Sequence, residues 1–433
     1  MVRPHPGPTD AVGKCGMGLP DTDGLADRPV ISDLYLLGLM LPPEVLGRMT
    51  GPEPQPAYAE LAGACPVLER APGIETVLRM DQVTEITRHR SVLGNGSLER
   101  SMGGDRKLIP LDIDGPDHTH FRKLLDPVFA PKRVAQLEPN IRAVADELLD
   151  TFAAEGEVEA FSRFCQPLPA RIFLSVMGVP PSDLEYFLDF KNGILRHDPT
   201  EPLDVAERGR TEAGLRGGDY FSQLYDDRTG SAEAGDDLLG WLVAAEVDGE
   251  RLSKDQFVNI CLLLMIAGLD TVSASLSCLL SWLARHPAER RWILEDPARW
   301  PAAIEELMRY ESPVPQGFRQ AADEIEIDGV TYPAGTRFIM SWPAANLDPE
   351  VFDDPLTVDL ARSPNPHVVF ASGWHRCLGS HLARVELRVA LEAFHHRIPE
   401  YEVVPGAELQ YVPLGVRQVM HLPLVWGAAG AQG

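Results

Sequence analysis

The segment from Phe257 to Ala284 constrains the fold more than any other part of the chain. It is apolar around nearly its whole helical circumference and long enough to cross a bilayer, yet it carries Asp270 near its middle. A central aspartate costs an inserting helix roughly 3 kcal/mol, whereas the middle of a large globular protein needs a helix that is apolar on all sides. The sequence therefore predicts a buried central helix and no membrane insertion.

Composition is compatible with one large core around this helix. The chain has 433 residues, 44% hydrophobic and 24% charged, as in ordinary soluble globular proteins. No Gly/Ser-rich or charged linker divides it, so we expect one large domain over residues 31–433. Residues 1–30 hold Pro, Gly and Asp without an apolar h-region, and are predicted to form a flexible arm.

Charge and cysteine usage narrow the partners and the compartment. The formal net charge of −25 repels phosphates and anionic headgroups, which argues against nucleic acid as a partner. The six cysteines include no C-x-x-C pair. That distribution suits a reducing cytosol, so we expect a cytoplasmic protein without a disulfide framework.

The periodicity predicts a mainly α-helical protein with a smaller β-region. Apolar residues recur at helical spacing over residues 137–153, 167–179, 213–224 and 238–247. Residues 65–80 are expected to form a small N-terminal sheet. A second small sheet is expected around the Asp328-Gly329 turn.

One cysteine lies in a glycine-framed turn before an apolar-periodic helix, in the stretch Phe370-Ala-Ser-Gly373-Trp-His375-Arg376-Cys377-Leu-Gly379. Unpaired N–H groups at a helix start lower the pKa of a sulfur placed there, which makes Cys377 a candidate metal ligand. Gly373 and Gly379 allow a sharp turn and close approach to a flat partner. The alternative for a lone cysteine at a helix start is a buried packing residue.

Three further patterns combine charged or polar groups at helical spacing. Asp117 can cap a helix that places His118 and Arg122 on one face, either for anion binding or as a solvated basic face. Glu306 and Arg309 stand three apart and can form a charge-assisted pair, which in general is a weak surface ion pair.

The third pattern, Ala267-Gly268-Leu269-Asp270-Thr271, interrupts the long apolar helix with a glycine, an acid and a hydroxyl. Thr271 can bond the carbonyl four residues back, and Asp270 can pair with a buried base. The alternative is a local opening of the helix, eased by Gly268, that places an acid and an alcohol at an oxygen-binding pocket.

In chain order these four motifs lie at residues 117–122, 267–271, 306–309 and 370–379. Spread between about residue 114 and residue 384, they resemble the motifs of the cytochromes P450, and local spellings are similar to the bacterial camphor-hydroxylase branch. The resemblance implies a cytochrome P450 fold, haem b, and activation of O₂ to insert one oxygen atom into a C–H bond. It makes Cys377 the axial thiolate ligand of the haem iron, which donates electron density and favours O–O cleavage.

The resemblance also implies roles for other residues of this sequence. The haem loop includes Phe370, Gly373 and Gly379. Asp270 and Thr271 correspond to the family's proton-relay pair. Glu306 and Arg309 correspond to a buried structural pair, with Arg362 as the candidate third member. The propionates of the haem would be bound by His118, Arg122, Arg319 and His375.

Substrate and partner are further implications of the same resemblance. The expected pocket residues are Leu108, Leu263, Ile266, Ala267 and Val314, which favour a compact hydrophobic substrate of terpenoid or steroid type. Residues 94–110 contain no tyrosine like the one that anchors the ketone in the camphor enzyme, so camphor itself is disfavoured.

The chain leaves no room for its own flavin or iron–sulfur domain, so electrons are expected from a small [2Fe–2S] ferredoxin with its reductase. Its docking face is predicted to comprise Arg122, Lys123, Arg376, Arg384 and Arg388.

Two alternative functions are a peroxide-driven haem hydroxylase and a non-catalytic haem-binding sensor. A peroxide-driven enzyme does not need the acid and alcohol of the central helix. The presence of Asp270 and Thr271 therefore favours O₂ with external electrons.

Overall fold

The computed structural model describes residues 14–16, 48, 51–94, 106–196, 203–230, 237–247, 249–412 and 416–427. Apart from residues 14–16, the predicted N-terminal arm lies outside the described residues, as does the loop over residues 95–105. The chain divides into two compact units. The mixed unit comprises Met1–Asn95, Ala298–Cys377 and Tyr411–Gln418, and the helical unit comprises Gly96–Pro297, Leu378–Gln410 and Val419–Gly433.

The described α-helices, in chain order, are α1 (Gln55–Ala64), α2 (Met80–Arg88), α3 (Gly115–Leu125), α4 (Pro131–Val134), α5 (Glu138–Asp150), α6 (Pro167–Met177), α7 (Leu184–Leu195), α8 (Leu203–Thr229), α9 (Leu238–Ala244), α10 (Lys254–Arg285), α11 (Pro287–Leu294), α12 (Trp300–Glu311), α13 (Trp342–Asn346) and α14 (Ser380–Arg397). The described strands are β1 (Lys14–Gly16), β2 (Val67–Ala71), β3 (Ile74–Val77), β4 (Val92–Leu93), β5 (Glu157–Glu159), β6 (Glu246–Val247), β7 (Glu250–Arg251), β8 (Gln316–Ala321), β9 (Ile325–Ile327), β10 (Val330–Tyr332), β11 (Arg337–Ser341), β12 (Glu402–Val403), β13 (Gln410–Tyr411), β14 (Val419–His421) and β15 (Pro423–Val425).

The mixed unit is built on a six-stranded sheet of order β1-β2-β3-β11-β8-β4. Strand β11 pairs in parallel with β3 and antiparallel with β8. The expected second small sheet around the Asp328-Gly329 turn is present as a separate two-stranded sheet of β9 and β10. The N-terminal sheet is larger than expected, because its strands share backbone hydrogen bonds with β11 and β8. The predicted Asp328-Gly329 turn does join β9 and β10, and both residues have positive φ, 49° and 74°.

The apolar side of this sheet packs against α2 and α13. The buried cluster there includes Val83, Ile86, Phe338, Met340 and Trp342. Helix α12 ends at Ser312, which adopts a left-handed conformation with φ 39°. Pro313 follows it and cannot continue the helix.

The helical unit is organised around α10, which packs against α6, α7, α8 and α14. A capping box between Ser253 and Gln256 fixes its start. It is the one helix among the described residues that is long and apolar enough to cross a membrane, and 78% of its most apolar window is buried in the protein. The predicted central core helix is thus present, with Cys261 and Cys278 buried in it as packing residues.

Candidate active site

The cysteine loop of the mixed unit is held in shape by its own backbone. The Cys377 N–H donates to the Phe370 carbonyl at 2.9 Å, and the Ala371 N–H donates to the Val368 carbonyl at 2.9 Å. Ala371 and Gly373 have positive φ, 56° and 70°. The chain therefore turns sharply between Phe370 and Cys377, as the glycine-framed sequence predicts.

Gly373 is required by a protein contact. A Cβ atom at this position would lie 1.9 Å from the carbonyl oxygen of Thr87, at the end of α2. The Thr87 and Ser372 hydroxyl oxygens are 2.6 Å apart, so the loop is fastened to α2. Gly379 differs, because a Cβ there meets nothing within 4 Å. The space beside Gly379 is therefore open to a partner.

Cys377 differs from every other cysteine whose side chain is described. Cys65, Cys165, Cys261 and Cys278 are buried, and Cys377 is exposed. Burial raises the pKa of the Cys165 and Cys261 thiols well above the ordinary value, which makes their thiolates inaccessible near neutral pH. Among the described cysteines, Cys377 is the one whose sulfur can reach an external ligand.

Glu306 is the centre of a buried ionic network in the mixed unit. Arg309 donates from Nε to Glu306 Oε2 at 2.8 Å and from Nη2 to Oε1 at 2.7 Å, and both side chains are 0% exposed. Arg362 Nε lies 3.1 Å from both oxygens. Asn365 Nδ2 adds a further contact at 3.2 Å, which the sequence analysis missed. This pair is thus a desolvated, multiply bonded group and not a weak surface ion pair.

Arg309 also fixes the irregular segment that leads to the cysteine loop. It donates to the carbonyls of Asn346 and Pro355 at 2.8 and 2.9 Å and to that of Thr357 at 3.3 Å. The network therefore positions the backbone over residues 346–365 from inside the unit. Arg319 lies on β8 and is also buried. Its Nη1 atom donates to the Phe318 carbonyl at 2.6 Å.

In the helical unit, Asp270 is a buried carboxylate with two cationic partners. Its Oδ1 accepts from Arg196 Nη2 at 2.6 Å and from Lys191 Nζ at 3.2 Å. Burial lowers the pKa of Lys191, and the Asp270 charge opposes that shift. Asp270 Oδ2 has no hydrogen-bond partner among the described residues.

The sequence analysis anticipated a buried base for Asp270 but named no residue. A signal was present, because Lys191 follows Phe187 by one helical turn on the apolar side of α7, where Phe187, Phe190 and Ile194 are also buried. A cation on the core side of an amphipathic helix needs a buried acid.

Thr271 does not break the central helix. Its Oγ1 donates to the Ala267 carbonyl at 2.9 Å, and α10 is one continuous α-helix from Lys254 to Arg285. The predicted local opening is therefore not seen. Glycine is required at position 268 for another reason, because a Cβ atom there would lie 2.5 Å from the Phe173 ring.

One stripe of α10 is accessible although most of the helix is buried. Asn259, Leu263, Ala267 and Thr271, spaced four residues apart, are partly or fully exposed. We call these four residues the open face of α10. Ile266 is buried beside this face, and Leu108 is completely buried at 0% exposure, so neither predicted pocket residue lies on an open surface. Val314, in the mixed unit, is partly buried against the sheet cluster.

Helix α3 carries the His118 and Arg122 pair on one face. It begins at Gly115 after Asp114, so Asp117 lies in the first turn and is not the cap that the sequence suggested. His118 is buried, and Arg122 Nε forms an ion pair with Asp126 Oδ1 at 2.9 Å.

The predicted basic docking face needs correction. Arg388 is bound by Glu138 at 2.6 Å and by Glu392 at 3.1 Å, and Arg122 is bound by Asp126. These two arginines are neutralised by carboxylates of the protein itself. The exposed cations Lys123, Lys132 and Arg133 on α3 and α4 form no ion pair with other described residues.

Comparisons with known proteins agree with this arrangement. The family model described as Cytochrome P450 matches residues 300–403, which hold the Glu306 network and the cysteine loop. The chain is 36% identical over 314 residues to cytochrome P450 107B1 of Saccharopolyspora erythraea, covering 72% of this chain and 75% of the relative. It is 32% identical to the mycinamicin IV hydroxylase/epoxidase of Micromonospora griseorubida, covering 85% and 94%.

Among solved structures, P450BioI in complex with an acyl carrier protein ligated to hexadec-9Z-enoic acid matches with a TM-score of 0.80 and 28% identity, covering 89% of this chain and all of that one. The fold and the thiol-bearing loop define a haem-thiolate oxygenase. The chain belongs to the cytochrome P450 family, whose members are monooxygenases that use O₂ and a redox partner. The predicted P450 fold over one large domain is confirmed.

Family members bind haem b through a cysteine thiolate. The residues of this chain fit that group, because the exposed Cys377 sulfur and the open space at Gly379 lie in one short loop. Apart from this, the described residues contain no group of three or more His, Cys, Asp or Glu side chains that could hold a metal.

Proposed function

We propose that this protein hydroxylates an apolar substrate with O₂ and two electrons from a ferredoxin, and that the Cys377 sulfur would hold the haem that supplies this chemistry. The observation that carries the proposal is the exposure of the Cys377 thiol in a loop fastened to α2. The other cysteines whose side chains are described are buried, so they cannot serve as this ligand.

When bound, haem supplies the redox-active iron at which O₂ is activated. Phe370, Gly373 and Gly379 shape the loop that receives it. Its propionates are anions, for which guanidinium and imidazole groups are suitable donors. His118 and Arg122 in the helical unit, and Arg319 and His375 in the mixed unit, are the proposed donors.

Proton delivery is assigned to Asp270 and Thr271. Thr271 Oγ1 carries a proton at the open face of α10, and its present acceptor is a backbone carbonyl. Asp270 forms ion pairs with Lys191 and Arg196 and has one oxygen without a described partner. Breaking one of these ion pairs would let Asp270 exchange protons with ordered water.

The proposed substrate is hydrophobic, of terpenoid or steroid type. Leu263 and Ala267 on the open face of α10 support this class, because both offer only apolar side chains. Leu108, Ile266 and Val314 remain proposed pocket residues. The mycinamicin relative, named as a hydroxylase and epoxidase, supports the reaction type.

The proposed electron donor is an acidic [2Fe–2S] ferredoxin with its reductase, in a cytoplasmic setting. Lys123, Lys132 and Arg133 support an acidic partner, because they are exposed cations without described ion pairs on a protein whose net charge is −25. Charge reversal at Lys123 and Lys132 should slow reduction by ferredoxin at low salt. The control is Arg388→Lys, which keeps a cation beside Glu138 and Glu392 and should leave the salt dependence of reduction unchanged.

The proposal as a whole is tested with Cys377→Ser and the matched control Cys278→Ser. The first variant should lose the thiolate type of carbon monoxide difference spectrum, and the buried control should keep it. Substrate-dependent oxidation of NAD(P)H with a ferredoxin system should be lost with Cys377→Ser. A retained thiolate spectrum in Cys377→Ser would overturn the ligand assignment.

A further inference from the structure

Arg106, in the helical unit, is a cation for which the described residues provide no acidic partner. Its side chain is partly buried, and its one described side-chain partner is the amide oxygen of Asn259, 3.5 Å from Nη1. No described carboxylate forms an ion pair with it. This is unexpected in a chain with 64 acidic and 39 basic residues, because a partly desolvated guanidinium gains most from a carboxylate.

The surroundings of Arg106 make room for its guanidinium. A Cβ atom at Gly218 on α8 would lie 3.2 Å from Arg106 Nη2, a distance at which the arginine would have to shift. The neighbouring Gly217 is explained by a different contact, because a Cβ atom there would lie 2.5 Å from the Phe190 ring. The guanidinium thus lies between α8 at Gly218 and α10 at Asn259.

Asn259 is the first residue of the open face of α10, which continues through Leu263 and Ala267 to Thr271. Asn259 and Thr271 are twelve residues apart on one continuous helix, so they are separated by about 18 Å along its axis. The polar pair Arg106 and Asn259 therefore stands at one end of an apolar stripe, and the hydroxyl assigned to proton delivery stands at the other.

We infer that Arg106 and Asn259 bind the carboxylate of an elongated apolar substrate whose oxidised carbon lies at the Thr271 end. This inference rests on the proposed function and narrows its substrate class. Arg106 offers a planar fork of donors that matches a carboxylate, and the Asn259 amide can turn its N–H₂ group towards the same anion. Leu263 and Ala267 then contact the apolar body. A compact terpenoid without an acidic group would leave Arg106 without an anion.

The test compares acids with their neutral esters in the haem-loaded protein. Hexadecanoic acid and cholanic acid, each with its methyl ester, are titrated by calorimetry and by the haem spin shift against wild type and Arg106→Leu. The matched control is Lys107→Leu, which removes the neighbouring cation, an exposed one. Loss of a charge-assisted hydrogen bond should weaken binding of the acid about tenfold to a hundredfold.

We expect wild type and Lys107→Leu to prefer at least one acid over its ester, and Arg106→Leu to bind both forms equally. Gly218→Val displaces the guanidinium but keeps the Arg106 residue, and it should give the same loss of preference for the acid. Equal affinity of wild type for acids and esters, or an acid preference that survives in Arg106→Leu, would overturn the inference. Calorimetry reads this preference without turnover, so failure of electron transfer or hydroxylation would count against the proposed function and not against the anchor.

Discussion

Arg196 Nη2 lies 2.6 Å from Asp270 Oδ1, which places the acid of the central helix in an ion pair. Lys191 contributes a second cation to the same oxygen and is itself 1% exposed. The acid assigned to proton delivery is therefore also part of the internal charge balance of the helical unit. Its substitution should affect stability as well as turnover.

Asp270→Asn should lower the free energy of unfolding by about 3–5 kcal/mol, because it leaves the buried Lys191 ammonium without its acid. Urea unfolding of the haem-loaded protein measures this loss. The double variant Asp270→Asn with Lys191→Met removes the more deeply buried of the two unpaired cations, since Arg196 is 18% exposed, and should recover most of the stability. A single variant as stable as wild type would show that the pair is not desolvated in solution.

Thr271→Ala should retain haem and its spectrum but divert electrons from product to hydrogen peroxide. The reason is loss of the one hydroxyl on the open face of α10, which at present bonds the Ala267 carbonyl. Thr271→Ser keeps the hydroxyl and is the matched control. The measurement is the ratio of product and peroxide formed to NAD(P)H consumed, and full coupling in Thr271→Ala would refute the proton-delivery role.

Glu306→Gln should be far more damaging than Glu305→Gln, one residue away. Glu306 is fully buried and receives both Arg309 and Arg362, so its neutralisation leaves a buried guanidinium uncompensated, at a cost of about 3–5 kcal/mol. Glu305 is partly exposed and contacts His367, so its substitution should cost about 1 kcal/mol or less. The yield of haem-loaded protein and the unfolding midpoint report the difference, and similar values for both variants would contradict the structural role of the network.

Glu386 on α14 predicts a pH dependence of stability. Burial raises the pKa of its carboxyl group from 4.5 to about 8, and its Oε2 atom has no partner among the described residues. The unfolded chain releases this proton above its ordinary pKa, whereas the folded protein keeps it until about pH 8. The stability contributed by this group is therefore fully present below the ordinary pKa and is lost as the pH rises to about 8.

Glu386→Gln keeps the shape of the side chain but cannot ionise. It should gain stability relative to wild type by up to about 1.4 kcal/mol per pH unit within this window. Unfolding at about pH 5 and about pH 8 checks the slope. Asp146→Asn, at an exposed acid of α5, is the control and should show no such trend. A constant difference between Glu386→Gln and wild type across the window would contradict a protonated buried acid.

Local signals in the sequence were sufficient for part of this picture. Hydrophobic periodicity located the central helix and the amphipathic α5, and the Asp328-Gly329 dipeptide located a turn, because these features depend on neighbours in the chain. The cysteine loop together with the three other motifs was sufficient to recognise the family, which the relatives then showed.

Other features depend on contacts between segments far apart in the chain. Sequence alone could not tell that β3 and β11 share one sheet, since parallel pairing is not encoded in either strand. It could not name Lys191 and Arg196 as the partners of Asp270, or reveal that Glu138 and Glu392 neutralise Arg388. The sequence analysis also associated Gly268 with an opening of the helix. In the structure a side chain at this position is excluded by the Phe173 ring.

The sequence by itself thus determined the central apolar helix, the thiol-bearing loop and the family, because these are carried by residue types at fixed short spacings. The tertiary structure alone decided which charged side chains form ion pairs and which do not. Burial and pairing arise only when distant segments meet, as Asp270 meets Lys191 and as Arg106 meets the amide oxygen of Asn259.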